Sequence, residues 1–269
     1  MKATSLVRRA AAIATSVAAM TLTTVLVPTA AHAADPEHYY IEIGGTGATP
    51  PAPHCTFSYD AANQALNLGP SAITVCYPAT AGPVIGPTGG LLDNLPPHLD
   101  ALTAPTYDAS VQQGIQAALR QVKTTRQQHP DAEITITGYS QGAQVADDVL
   151  QQIANGTAGI PSSKIDGMLY ADPEQPDTGL FAHLPKGLGI PGVATAEGPG
   201  PVEFNGIPVR RYCITGDPVC DLRSITNAPG YFTLHPRYMW RGNVIAQTLA
   251  DDGKDGVQWR NADGGPGPA

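Results

Sequence analysis

The chain has 269 residues, of which 42% are hydrophobic, 14% charged and 6% aromatic, with 29 Gly, 26 Pro and a net charge of −8. Gly and Pro make up about a fifth of it against a usual ~12%, which reads as long turns around a core, because the apolar fraction still suffices for one. The glycines have no three-residue period and no heptad survives the prolines, so collagen and coiled coil are excluded, and 23 Asp+Glu against 15 Lys+Arg argue against a nucleic-acid binder.

Residues 1–33 read as a signal peptide that is removed. Lys2, Arg8 and Arg9 form a positive head, an Ala/Val/Leu/Thr stretch runs from Ala10 to Val27, and Ala31-His32-Ala33 offers a small-x-small cleavage site. Thr and Ser dilute the stretch, which argues against a membrane anchor. Arg8-Arg9 leaves the twin-arginine export route open. The expected location is secreted, with the cell envelope as an alternative. Residues 34–260 suit a single domain, and 261–269 are expected to be a disordered tail.

The mature chain alternates strand-like and helix-like segments, the mark of an α/β sheet. Tyr39–Ile43 is a strand running into Gly44-Gly45-Thr46-Gly47, and Ala72–Tyr77 is a second. Asp108–Gln128 carries Val111, Ile115, Ala118, Leu119 and Val122 at helical spacing and stops before Pro130. Glu133–Thr137 is a β-branched buried strand. It leads through Gly138-Tyr139-Ser140-Gln141-Gly142 into a helix with Ala143, Ala146, Val149, Leu150 and Ile153 on one face. Ile165–Tyr170 and Val209–Cys213 supply further strands, and a last helix is expected between Tyr238 and Leu249. Residues 82–106 and 174–208 are long Gly/Pro-rich loops, a length usually tied to function or mobility.

In an exported protein the even set Cys55, Cys76, Cys213 and Cys220 reads as disulfides. Four cysteines allow three connectivities; the expectation is the sequential one, Cys55–Cys76 and Cys213–Cys220. Loop-closure entropy gives about 3.4 kcal/mol for the first and about 2.5 for the second. The shorter bridge pins the segment Ile214–Val219. No cluster has the spacing of a metal site, so no metal is expected.

Gly138-x-Ser140-x-Gly142 between a strand and a helix is the most specific signal. The chain must reverse there within a few residues, exposing the serine hydroxyl, and a β-carbon at either glycine would collide with a neighbouring element. The Gln141 N–H, at the positive end of the helix dipole, can stabilise an oxyanion. The serine needs a base, and imidazole titrates near ~6.5. His235, after the short disulfide loop and among aromatic residues, is preferred to His183 in a Gly/Pro-rich loop. The chain order Ser, acid, His selects Asp217, whereas His183 would leave Asp172 or Asp177. Gly44–Gly47 lets the backbone approach the site, with the Thr46 N–H as second oxyanion donor. A dinucleotide fingerprint fails for want of the third glycine, and a P-loop for want of Gly-Lys-Ser/Thr. No nucleotide or other cofactor is expected.

Gly44-Gly45-Thr46-Gly47, Gly138-Tyr139-Ser140-Gln141-Gly142-Ala143, and Cys213 to Cys220 around Asp217-Pro218, followed by His235, together resemble the cutinase-like serine esterases. The opening tyrosine-rich strand is most similar to the actinobacterial PE-PPE-domain branch. The resemblance covers Tyr39 to Leu249. It implies an α/β-hydrolase three-layer sandwich with a mostly parallel sheet, ester hydrolysis, a Ser140–His235–Asp217 triad, and an oxyanion hole at Thr46 and Gln141. Two features depart from the family. Gly44 stands where cutinases usually carry arginine, and their first disulfide joins other regions of the chain, so Cys55–Cys76 rests on spacing alone.

The expected activity is a secreted serine esterase working through an acyl-enzyme. An apolar acyl part is expected from Leu91, Leu92, Leu95, Leu180, Phe181, Leu184, Leu188, Ile190 and Val193 in the two long loops. Contact with a lipid or cell-envelope surface is compatible with those loops. The alternatives are an extracellular lipid acyltransferase with the same triad, and a non-catalytic surface-binding protein on the same scaffold.

Overall fold

A computed structural model describes residues 37–47, 49–93, 95–190, 194–251 and 255–268. The expected signal peptide lies outside them, as does Val193. Six strands build one sheet: β1 (His38–Ile43), β2 (Ala72–Thr74), β3 (Glu133–Tyr139), β4 (Ile165–Tyr170), β5 (Val209–Ile214) and β6 (Gly256–Arg260). Every pairing is parallel, in the order β6-β5-β4-β3-β1-β2. The order reverses direction between β1 and β3, and ligand sites of open α/β sheets form at the carboxyl ends of the strands at such a point.

Side chains alternate across the strands and divide the core by chemistry. Ile41, Ile43, Ile134, Ile136, Ile165, Leu169 and Val209 face one side, where α2 (Tyr107–Gln128) and α3 (Gln141–Ala154) cover them. Val111, Ile115, Ala118 and Val122 of α2 and Ala143, Ala146, Val149, Leu150 and Ile153 of α3 are buried there, as helical spacing requires. Thr106 caps α2 by accepting from the Ala109 N–H. The opposite face is rich in tyrosine: Tyr40, Tyr139, Tyr170 and Tyr212 pack with Tyr59 and Tyr238 under α1 (Asp60–Leu66) and α5 (Val244–Thr248), the latter preceded by the single-turn α4 (Gly230–Thr233). Two helical layers on a parallel sheet make the expected sandwich.

Several expectations need correction. The second strand ends at Thr74 instead of Tyr77. The single last helix is broken into a 3₁₀ turn, His235–Met239, and the short α5, because Trp240 to Asn243 turn the chain between them. The strand β6 and the helix α1 had no prediction. The tail is ordered over 261–268: the Gly267 N–H donates to Trp259 O (2.9 Å), Asn261 N–H to Gly265 O (2.8 Å), and Thr215 Oγ1 to Pro268 O (3.1 Å). Gly and Pro there serve tight turns that return the backbone to β6, so its polar groups find partners in the protein.

Candidate active site

Gly44–Gly47 follows β1 and Ser140 follows β3, so both motifs meet at the carboxyl ends of two adjacent strands, where the strand order reverses. Ser140 has φ 57° and ψ −123°, a strained conformation for a residue with a side chain. The turn is possible only with glycine on either side. A Cβ on Gly138 would lie 2.0 Å from Gly142 O, and one on Gly142 would lie 2.1 Å from Ile43 O. At Gly44 the space is filled by a side chain: a Cβ would meet Thr56 Oγ1 at 2.0 Å. The arginine expected from the family pattern has no room there.

His235 Nε2 lies 2.9 Å from Ser140 Oγ, and His235 Nδ1 lies 2.8 Å from Asp217 Oδ2. Asp217 is fully buried; its other oxygen accepts the Val219 N–H at 3.1 Å. His235 is buried, 6% exposed as a residue. The alternatives to these partners lie elsewhere. His183 and Asp177 are exposed, and Asp172 is hydrogen-bonded to Arg211.

Both expected disulfides are present, and Cys213–Cys220 closes the loop that carries Asp217. That loop is also held from outside the bridge. The Gly216 N–H donates to Asp221 Oδ2 (2.8 Å), and the Ile214 N–H donates to the buried Tyr238 hydroxyl (2.6 Å). Burial alone would raise the Asp221 carboxyl, but the hydrogen bonds and charge of Arg223 and the Gly216 N–H outweigh it and hold the group below its ordinary range.

Gln141 begins α3, where backbone N–H groups have no intrahelical partner. Its side chain is buried and tied at both ends, accepting from Ser110 Oγ (3.0 Å) and donating to Thr80 O (3.0 Å). In the first loop the Gly45 N–H reaches Ser58 Oγ (3.5 Å) and the Gly47 N–H donates to Ala79 O (3.1 Å). Thr46 between them lines the cavity in front of Ser140.

Two cavities open on the serine and a third begins at Thr46. One of about 340 Å³ is lined by Thr46, Phe57, Ser58, Ser140, His235 and Met239. A second of about 220 Å³ is lined by Ile85, Tyr107, Ser140, Leu180, Phe181 and Val219. A third, about 980 Å³, runs from Thr46 along Val84, Ile85, Leu91, Leu92 and Leu102. Four of the apolar loop residues singled out in the sequence thus line cavities. Leu95 and Leu188 are exposed instead and line none of the three.

Sequence reasoning missed two parts of the site. The imidazole of His235 lies between Tyr139 and Tyr231, each ring centroid 5.1 Å away. A buried ionic cluster also fixes the second long loop: Arg211 donates to Asp172 Oδ2 (2.9 Å), Asp147 Oδ2 (2.7 Å) and Pro201 O (2.9 Å). Glu174 beside it accepts from Gln144 Nε2 (3.0 Å). Burial, reinforced by Asp147, Asp172 and Asp148 and opposed by Gln144, pushes Glu174 up to about 10. Among the described residues, no group of three or more His, Cys, Asp or Glu is arranged to hold a metal.

The family whose description is Cutinase matches residues 56–248. The chain belongs to the cutinase family. Cutinase 11 of Verticillium dahliae is 27% identical over 176 residues, 60% of this chain and 54% of that protein. The chain therefore matches about half the length of this cutinase. The catalytic core of acetyl xylan esterase from Trichoderma reesei is similar at 18% identity and TM-score 0.43, covering 75% of this chain and 96% of the other. A cutinase-like protein from Cryptococcus sp. is similar at 16% identity and TM-score 0.42, covering 74% and 92%. Family membership and the all-parallel sheet agree on an α/β-hydrolase fold.

Proposed function

We propose that this member of the cutinase family is a secreted serine carboxylic-ester hydrolase, with Ser140 as nucleophile, His235 as base and Asp217 as its orienting acid. The reading is carried by the continuous hydrogen-bonded chain from Asp217 through His235 to Ser140. Ser140 Oγ attacks the ester carbonyl carbon and its proton passes to His235 Nε2. The carbonyl oxygen becomes an oxyanion, which the Thr46 and Gln141 N–H groups receive. Collapse breaks the bond to the alcohol oxygen, which leaves with the proton from His235. Water then repeats the sequence on the acyl-enzyme and releases the acid. Asp217 fixes the tautomer and stabilises the imidazolium without itself taking the proton.

The substrate's acyl part is apolar on this reading, because the two cavities that include Thr46 but not His235 in their lining are walled largely by aliphatic and aromatic side chains. The leaving alcohol lies in the cavity that contains His235, which must protonate it. Residues 1–33 are the export signal, the domain runs from 34, and the tyrosine-rich β1 with Gly44–Gly47 favours the PE-PPE-domain branch. The test is hydrolysis of p-nitrophenyl esters of increasing acyl length, with Ser140→Ala as the blank. Ester cleavage that Ser140→Ala abolishes supports the assignment; equal turnover by the variant ends it.

A further inference from the structure

We infer that Tyr231 is a positioning residue of the reaction: its ring holds the His235 imidazole and stabilises the charge that ring acquires. The inference rests on the proposed triad. The imidazole is enclosed on both faces. Tyr139 stacks on one side (5.1 Å between centroids, 26° between planes) and Tyr231 on the other (5.1 Å, 15°).

The two rings are held differently. Tyr139 belongs to β3, is 4% exposed, and donates its hydroxyl proton to His235 O at 2.7 Å, so it fixes the backbone of His235 as well as one ring face. Tyr231 sits on a single helical turn, Gly230–Thr233, and is 40% exposed. That turn is seated on the loop carrying Asp217: a Cβ on Gly230 would lie 2.1 Å from Gly216 O. The turn that bears the outer ring is therefore packed directly against the loop that bears the acid. Tyr231 also lines both cavities that open on Ser140 and the larger one that begins at Thr46.

The chemistry gives this ring more than a wall's role. When the Ser140 proton reaches Nε2 the imidazole becomes a cation between two π-faces, and a cation over an aromatic face is attracted where a neutral ring is held only by packing. The attraction grows as the transition state forms, so it raises kcat and leaves substrate binding nearly alone. The same ring closes the outer face of the imidazole and limits its rotation away from Ser140.

The experiment compares Tyr231→Phe, Tyr231→Leu and wild type on p-nitrophenyl acetate, with thermal unfolding of each. Leucine keeps an apolar wall and removes the π-face; phenylalanine keeps the face. The expected result is a kcat for Tyr231→Phe within about twofold of wild type. For Tyr231→Leu, kcat falls about threefold to thirtyfold, with KM changed less than kcat and the fold intact. Tyr231→Leu with unaltered kcat, a loss carried wholly by KM, or an equal kcat loss in Tyr231→Phe would overturn the inference. Absence of Ser140-dependent hydrolysis in the wild type would instead overturn the esterase reading itself.

Discussion

Ser140 takes a conformation that an L residue seldom adopts, and the cost is met by its surroundings: glycines at 138 and 142, and a first helical turn anchored through Gln141. The hydroxyl is presented to His235 by the backbone, so its removal leaves that scaffold in place. Asp217→Asn keeps the hydrogen-bonding geometry and permits the wrong imidazole tautomer; kcat is expected to fall by ~10⁴. Steady-state kinetics decide this, and a loss below tenfold would point to another acid. At this scale motif spacing and chain order single out Ser140, Asp217 and His235, and the fold brings these three side chains within hydrogen-bonding distance. The aromatic walls of the imidazole were not legible. Tyr139 and Tyr231 lie far apart in sequence, and nothing in their local pattern states that both face one ring.

The element that carries Asp217 is a loop, and loops need external fastening. Cys213–Cys220, Asp221 and Tyr238 all hold it. Replacing both Cys213 and Cys220 by alanine should harm activity more than stability. An eight-residue closure is worth about 2.5 kcal/mol, or roughly 5–10 °C in Tm at this size, whereas kcat should drop at least tenfold through displacement of Asp217. Thermal melts and kinetics on the double variant check it; a large loss of Tm with kcat preserved would mean the bridge is purely structural. Elements with a clear period (β1, β3, β4, β5, α2, α3) were visible in the sequence. The short β6 and α1 were not: β6 is defined by its pairing with β5, a non-local contact, and α1 buries a single residue, Ala62, so neither carries an apolar pattern. The tail misled by composition: its Gly and Pro make turns that hydrogen-bond to β6 and to the Asp217 loop.

The molecule as a whole buries acids that the proposed mechanism does not use. Glu42 is pushed up to about 8 by burial, helped by Asp60 and opposed by Asn63, and Glu174 up to about 10. Both fold in the protonated form and ionise on unfolding near ~4.3. Their contribution to stability is therefore fully present below that value and is lost as pH rises towards 8 and 10. Glu174→Gln keeps an acceptor for Gln144 and removes the titration. It should raise Tm at pH 8 by some 2–4 °C or more, about 1 kcal/mol, and change it little at pH 4. Equal shifts at both pH values would refute the linkage. Export is tested at the same scale: the amino terminus of the secreted protein, read by mass spectrometry, should be Ala34, and an intact leader would contradict the assignment of residues 1–33. The most direct test of the central claim is fluorophosphonate labelling of the mature protein with the adduct located by mass spectrometry. The account predicts a single phosphonyl adduct on Ser140, lost in Asp217→Asn or His235→Ala; an adduct on another residue, or none while ester hydrolysis proceeds, would contradict it.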